Sequence, residues 1–156
     1  MSFEGCLRKR FLIRIPPDTE LSAKEFLAAD EDLERSKHTK DVDNDFKWTI
    51  VQAYYSMFHA AKAILYQIGL KEKSHRCIAD ALEKLSEEGL IEPVVVEQFK
   101  NCMESREDAD YRHVYSEEEA NRTVEIAEEF LKETFLQERV SRQVLSKCFY
   151  PFPNRG

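Results

Sequence analysis

Residues 46–69 read FKWTIVQAYYSMFHAAKAILYQIG, and this stretch decides the fold class. Phe46, Ile50, Ala53, Tyr54, Met57, Ala61, Ile64, Leu65 and Ile68 recur at three-to-four spacing, the period of an α-helix. Val51, Tyr55 and Phe58 add apolar surface on another face, so the helix is apolar nearly all round and belongs at the centre of a bundle. Its polar strip is Gln52, Ser56, His59 and Lys62. Asn44 or Asp45 can cap its start and Gly69 its end.

Working outward, four further helices follow from the same signals. Ser22 with Glu25 forms a capping box for a first helix carrying Phe26, Ala29 and Leu33, which should fade near residues 39–43. A third begins at Ser74, carries Ile78, Ala81, Leu82 and Leu85, and stops at Gly89. Pro93 suits the first turn of a fourth, spanning about residues 92–111. Ser116 with Glu119 caps a fifth, striped by Ala120, Val124, Ala127, Leu131 and Phe135 and reaching about Ser146. The expected architecture is an all-α, up-and-down antiparallel bundle of four to five helices over residues 21–148. An N-terminal arm, residues 1–20, extended or including a short strand, leads into it through Pro16-Pro17, and an irregular tail, residues 149–156, follows. No stretch alternates long enough for a convincing strand.

Composition sets limits on function. The 156 residues, 42% hydrophobic, suit one domain burying roughly 70% of its unfolded surface. A net charge of −7 excludes a general nucleic-acid-coating protein, so any contact with RNA or DNA must be local. Cys6, Cys77, Cys102 and Cys148 form no CxxC pair, which points to reduced thiols in a cytoplasmic protein and to no zinc ribbon or redox motif. The run Phe11–Ile13 is too short for a membrane span. No carboxylate or histidine cluster has metal-ligand spacing, and neither metal nor cofactor is expected.

The candidate chemistry lies in residues 105–115. On the fourth helix Val95, Phe99, Cys102, Arg106, Ala109 and His113 share one face, so the stripe begins apolar and ends polar. A guanidinium can grip a phosphate with two parallel hydrogen bonds, and an imidazole titrating near neutrality can exchange a proton with a ribose hydroxyl or a leaving oxygen. Arg106 and His113 stand two turns apart, about 10 Å of rise, so both reach one phosphodiester only if the helix end loosens or a second subunit contributes. Asp110 can hydrogen-bond either. An arginine and histidine so spaced, followed after one residue by a tyrosine such as Tyr115, arises about 0.03 times by chance in this composition. The alternative is structural: an Arg106–Asp110 ion pair, with His113 capping the helix end.

Two stretches resemble the small stand-alone prokaryotic branch of the HEPN family. Ala53-Tyr54-Tyr55-Ser56-Met57-Phe58-His59-Ala60-Ala61-Lys62-Ala63, then Gly69-Leu70 and Lys73-Ser74-His75-Arg76, resembles its central helix and the start of the next. Ser105-Arg106-Glu107-Asp108-Ala109-Asp110-Tyr111 resembles its arginine-to-Ala-Asp-Tyr signature. The resemblance implies a four-to-five-helix bundle, a homodimer whose clefts join two signatures, and an RNase or nucleotide-binding role, often as toxin or partner of a minimal nucleotidyltransferase. In its ribonucleases an arginine, four to six residues, a histidine and, after one more residue, a tyrosine modified with AMP form the hallmark. Arg106, His113 and Tyr115 match it at the longest spacing, although this branch carries Ala109-Asp110-Tyr111 where the toxins place their histidine.

Three classes of function follow. The first is a dimeric, metal-independent endoribonuclease using Arg106, His113 and Asp110. The second is a module that holds a nucleotide, RNA or a nucleotidyltransferase without cutting, with Arg106, Tyr111 and His59 as its nucleotide-binding residues. The third is a scaffolding helical dimer. His59 on the central helix could line a nucleotide cleft, though such histidines are more often core or interface groups. His75 and Arg76 at a helix start could meet a phosphate, but capping by Ser74 explains the same residues. Trp48 and the six tyrosines suggest base stacking, but Tyr54, Tyr55 and Tyr66 are better read as packing in or near the core.

Overall fold

A computed structural model describes residues 1–149, with side chains described through residue 135. Its long helices are α2 (Thr19–His38), α3 (Phe46–Gln67), α4 (His75–Glu87), α5 (Pro93–Tyr111) and α6 (Glu117–Phe149). They form the expected all-α bundle, with α3 packed against α2, α4, α5 and α6. Pairings run in opposite order along partner helices. Ser22 meets Ala63 while Glu25 meets His59, and Phe99 meets Phe130 while Ser105 meets Glu119. The α2–α3 and α5–α6 neighbours are therefore antiparallel, as their short connections require.

Beyond the exposed Trp48 in its first turn, the central helix is buried over most of its surface, including Ile50, Tyr54, Met57 and Leu65 and the small Ala53, Ala60, Ala61 and Ala63. Alanines let neighbouring backbones approach closely, while each buried large side chain contributes about 1.5–3 kcal/mol. Asp45 caps α3 by accepting from the Trp48 amide at 3.1 Å, and Gly69 leaves the helix at φ 82°. Ser116 caps α6 through the Glu119 amide, as the sequence predicts.

Two expectations about the elements change. The first long helix starts at Thr19 under an Asp18 cap, not at Ser22, because Ser22 is buried and donates to the Ala63 carbonyl at 2.8 Å. The bond ties α2 to α3. The N-terminal segment is not simply an arm. Phe3–Arg8 form a short helix, α1, capped by Ser2, and Leu12–Arg14 form a strand, β1, antiparallel to β2 (Leu70–Glu72) with Leu12 opposite Glu72. Neither carries a period long enough to read. The expected irregular tail lies, from residue 150, outside the described residues.

Cys6 and Cys77 form a disulfide, which overturns the expectation of reduced thiols for this pair. They are 71 residues apart, and only the packing of α1 on α4 brings them together. Cys102 is free and buried, and burial pushes its thiol up to about 12. A cross-link closing so long a loop stabilises by about 4 kcal/mol, mainly by restricting the unfolded chain. Cys6→Ser with Cys77→Ser, or reduction of the wild type, should therefore lower the melting temperature by about 10 °C. Calorimetric scans with and without a phosphine reductant check this, and coincident transitions would mean that the cross-link contributes nothing.

Candidate functional site

Glu92 opens α5 and Pro93 occupies its first turn, where the missing amide hydrogen costs nothing. From there Val95, Phe99 and Cys102 are buried on one stripe, and Arg106 continues it. One turn on, Ala109 is fully buried with Ile50 of α3 and Ala120 of α6. A larger residue there would force the three helices apart. The close approach lays the Arg106 side chain, only 13% exposed, across the aromatic face of α3.

The guanidinium carbon lies 5.5 Å from the Tyr55 ring centre, 5.9 Å from that of Tyr54 and 5.0 Å from that of Tyr111. Nη2 donates to Tyr55 Oη at 3.1 Å and to Tyr111 Oη at 3.4 Å, and pairs with Asp110 at 3.1 Å. Burial opposes the Arg106 charge, but Tyr55, Tyr111 and Asp110 outweigh it and raise its pKa above the ordinary value. Nε is buried without a hydrogen-bond partner among the described residues. The site is thus a permanently charged, largely desolvated guanidinium between aromatic rings, flanked by Tyr111, which is 67% exposed.

A second imidazole, passed over in the sequence in favour of capping by Ser74, belongs to this group. Ser74 occupies the N-cap of α4 but its side chain makes no capping bond. His75 stacks on Phe58 at 4.3 Å between centroids, and its Nδ1 is 3.0 Å from Tyr54 Oη. Burial first, then the Arg106 charge, holds the His75 pKa below its ordinary value, while burial pushes that of Tyr54 far up. Between α4 and α5 lies a groove of about 350 Å³ lined by Arg76, Lys100, Glu104, Glu107 and Arg112, and neither His75 nor Arg106 is among its lining residues.

His113 lies elsewhere than its spacing suggests. The α5 helix ends at Tyr111; Arg112 follows as its cap, and His113 adopts the left-handed conformation at φ 55°. The Val114 amide then closes back on the Asp108 carbonyl at 2.9 Å. This is the turn that glycine usually makes after a helix, and histidine tolerates it better than most residues. His113 therefore does not continue the Arg106 face, and it is exposed. Tyr115, 48% exposed, lies two residues further on.

His59 is engaged with α2. Its Nδ1 is 2.6 Å from Glu25 and its Nε2 is 3.5 Å from Asp32. Lys62 joins the network through Glu25 at 3.3 Å and Glu72 at 3.4 Å. Burial raises the Asp32 pKa; at Glu25 burial acts the same way, but His59 and Lys62 outweigh it and lower that pKa. Both His59 nitrogens thus serve helix pairing. Among the described residues Cys6, Cys77 and Asp80 are grouped closely enough to hold a metal, with the two sulfurs bonded to each other.

The family model described as HEPN domain matches residues 24–139. The chain belongs to the HEPN family. The match spans α2 to α6 and includes both the Arg106 cluster and the His59 network. It supports a function connected with RNA cleavage or nucleotides. A comparison with curated proteins found no match. No helix among the described residues is long and apolar enough to cross a membrane.

The lowered His75 pKa makes a signed prediction for this HEPN domain. Below the ordinary value of 6.5 the unfolded chain takes up a proton that folded His75 resists, so stability should fall as the pH drops from about 7 through 6.5 and onward to the folded pKa. His75→Gln should flatten that part of the curve. Denaturant midpoints measured between pH 7.5 and 5 check it, and equal slopes for both proteins would exclude the contribution.

Proposed function

We propose that this HEPN domain binds the phosphate of a nucleotide or RNA through Arg106, with Tyr111 as an adjoining aromatic surface. The observation that carries the proposal is the state of the Arg106 guanidinium. Desolvated groups interact with an anion more strongly than hydrated ones, and a guanidinium offers five donors. Among the described residues its protein bonds use Nη2 alone, which leaves Nη1 for an incoming oxygen. Asp110 offsets part of the charge, so it holds the guanidinium in place when empty and a dianionic phosphate must compete with it. The acidic balance of the chain agrees with a local contact rather than a long nucleic-acid track.

A second reading, favoured by the exposure of His113 and Tyr115, is a homodimeric, metal-independent endoribonuclease. Arg106 would stabilise charge on the phosphate, Asp110 would orient it, and His113 would exchange the proton. Tyr115 would be open to modification with AMP by a minimal nucleotidyltransferase partner, as in a toxin-antitoxin pair. Because His113 lies past the helix end, this reading depends on the second subunit to complete the constellation.

Titration calorimetry with AMP and a short RNA tests the binding function. Arg106→Ala should weaken binding by at least about tenfold, since it deletes a charge-assisted contact, and affinity equal to the wild type would refute the assignment. The ribonuclease reading predicts RNA cleavage in EDTA that is abolished by Arg106→Ala and by His113→Asn, a substitution compatible with the left-handed turn. Absence of cleavage by the wild type would leave binding as the function, and cleavage retained by both variants would remove Arg106 and His113 from the mechanism.

A further inference from the structure

We infer that His75 is the second donor of the Arg106 phosphate site, offering a neutral Nε2–H to the same oxyanion that Arg106 grips. The inference deepens the phosphate-binding reading above and rests on it. Three observations carry it.

The first is placement. His75 and Arg106 come from different helices, α4 and α5, yet both sit against the same two rings of α3. The His75 ring centre is 6.1 Å from that of Tyr54 and 6.3 Å from that of Tyr55, and the Arg106 guanidinium carbon is 5.9 and 5.5 Å from the same centres. Arg106 is also close enough to depress the basicity of the imidazole. Among the described residues none of the other three histidines packs against these two rings: His59 is tied to Glu25 and Asp32, His38 lies near Asp43, and His113 is exposed in the turn past the end of α5.

The second is the tautomer. Tyr54 is fully buried, and its phenol holds its proton far above the ordinary range. Its hydroxyl has one partner among the described residues, His75 Nδ1. A buried hydroxyl uses its proton when an acceptor is available, so Tyr54 donates and Nδ1 accepts. The ring proton of the neutral imidazole is then fixed on Nε2. That atom has no partner among the described residues, although His75 is half-buried.

The third is rigidity. The imidazole is sandwiched by its stack on Phe58 and its bond to Tyr54, so its orientation is set before any ligand arrives. A preorganised donor beside a preorganised guanidinium suits an oxyanion, because neither has to reorient at the moment of binding. The neutral ring adds direction without a second positive charge to be desolvated. This makes His75 a binding residue and leaves proton transfer to another group.

The test uses the full chain with inorganic phosphate and AMP as probes. Long-range nitrogen–proton spectra of the histidine rings should show the Nε2–H tautomer for His75 in the free protein, and both His75 nitrogens should shift on adding either probe. His75→Ala should weaken AMP binding about tenfold, His75→Gln should recover part of the loss through its amide donor, and Tyr54→Phe should weaken binding by freeing the ring. Circular dichroism establishes that each variant is folded; should His75→Ala not fold, the wild-type tautomer and His75→Gln decide. An Nδ1–H tautomer, or His75 variants that bind as the wild type while Arg106→Ala does not, overturns the role of His75 alone. Binding insensitive to Arg106→Ala, or no binding of either probe by the wild type, overturns the phosphate site itself and His75 with it.

Discussion

A helix buried over most of its surface can leave few of its polar atoms to water, and α3 has several of them. Thr49 and Ser56 satisfy theirs within the helix, donating to the Asp45 and Ala53 carbonyls at 2.7 Å. Most of the longer side chains find partners on neighbouring elements, since a buried polar group without one is costly, and Gln52 Oε1 is the α3 side-chain atom left buried without one among the described residues. This requirement shapes the surroundings of α3. His59 and Lys62 draw carboxylates from α2 and β2 to one side, and Tyr54 and Tyr55 draw His75 and Arg106 to another.

The two sides differ in the kind of partner they recruit. Around His59 and Lys62 the charges are matched by Glu25 and Asp32 of α2 and by Glu72 of β2, which fixes the pairing of α2 with α3, while Glu72 Oε2 is buried without a hydrogen-bond partner among the described residues. Around Arg106 the matching is incomplete. One carboxylate and two phenols engage a single nitrogen of the guanidinium, and Nε is buried without a partner. A fold tolerates such an underused, desolvated cation where something else completes it, which is why perturbed charged groups concentrate at binding sites.

The N-terminal segment supports the same side of the molecule. Pairing of β1 with β2 and the Cys6–Cys77 bond fasten it to the start of α4, two residues from His75. The strand and the cross-link thus flank the helix that presents the imidazole to Tyr54. Residue 113 contributes differently. Its left-handed turn ends α5 straight after Tyr111, which leaves the Tyr111 ring at the helix end beside Arg106.

The helices were legible in the sequence alone. Their period, capping residues and stops are local properties written in consecutive side chains: Pro93 and Gly89 act within a few residues, and the apolar surround of α3 follows from composition alone. The Arg106–Asp110 pair was equally legible, because residues one turn apart on a helix must be neighbours. What depends on distant segments meeting was not legible. Cys6 reaches Cys77 through the packing of α1 on α4, Ser22 leaves its capping role because Ala63 presents a carbonyl to it, and His75 rather than His113 joins Arg106 because α4 and α5 lean on the same rings of α3. His113 marks the limit of periodic reasoning, since a face argument holds only while the helix continues and a single left-handed residue redirects everything after it. Local chemistry sets the elements, whereas the partners of buried polar groups are chosen by the tertiary structure, where leaving one unmatched is most costly.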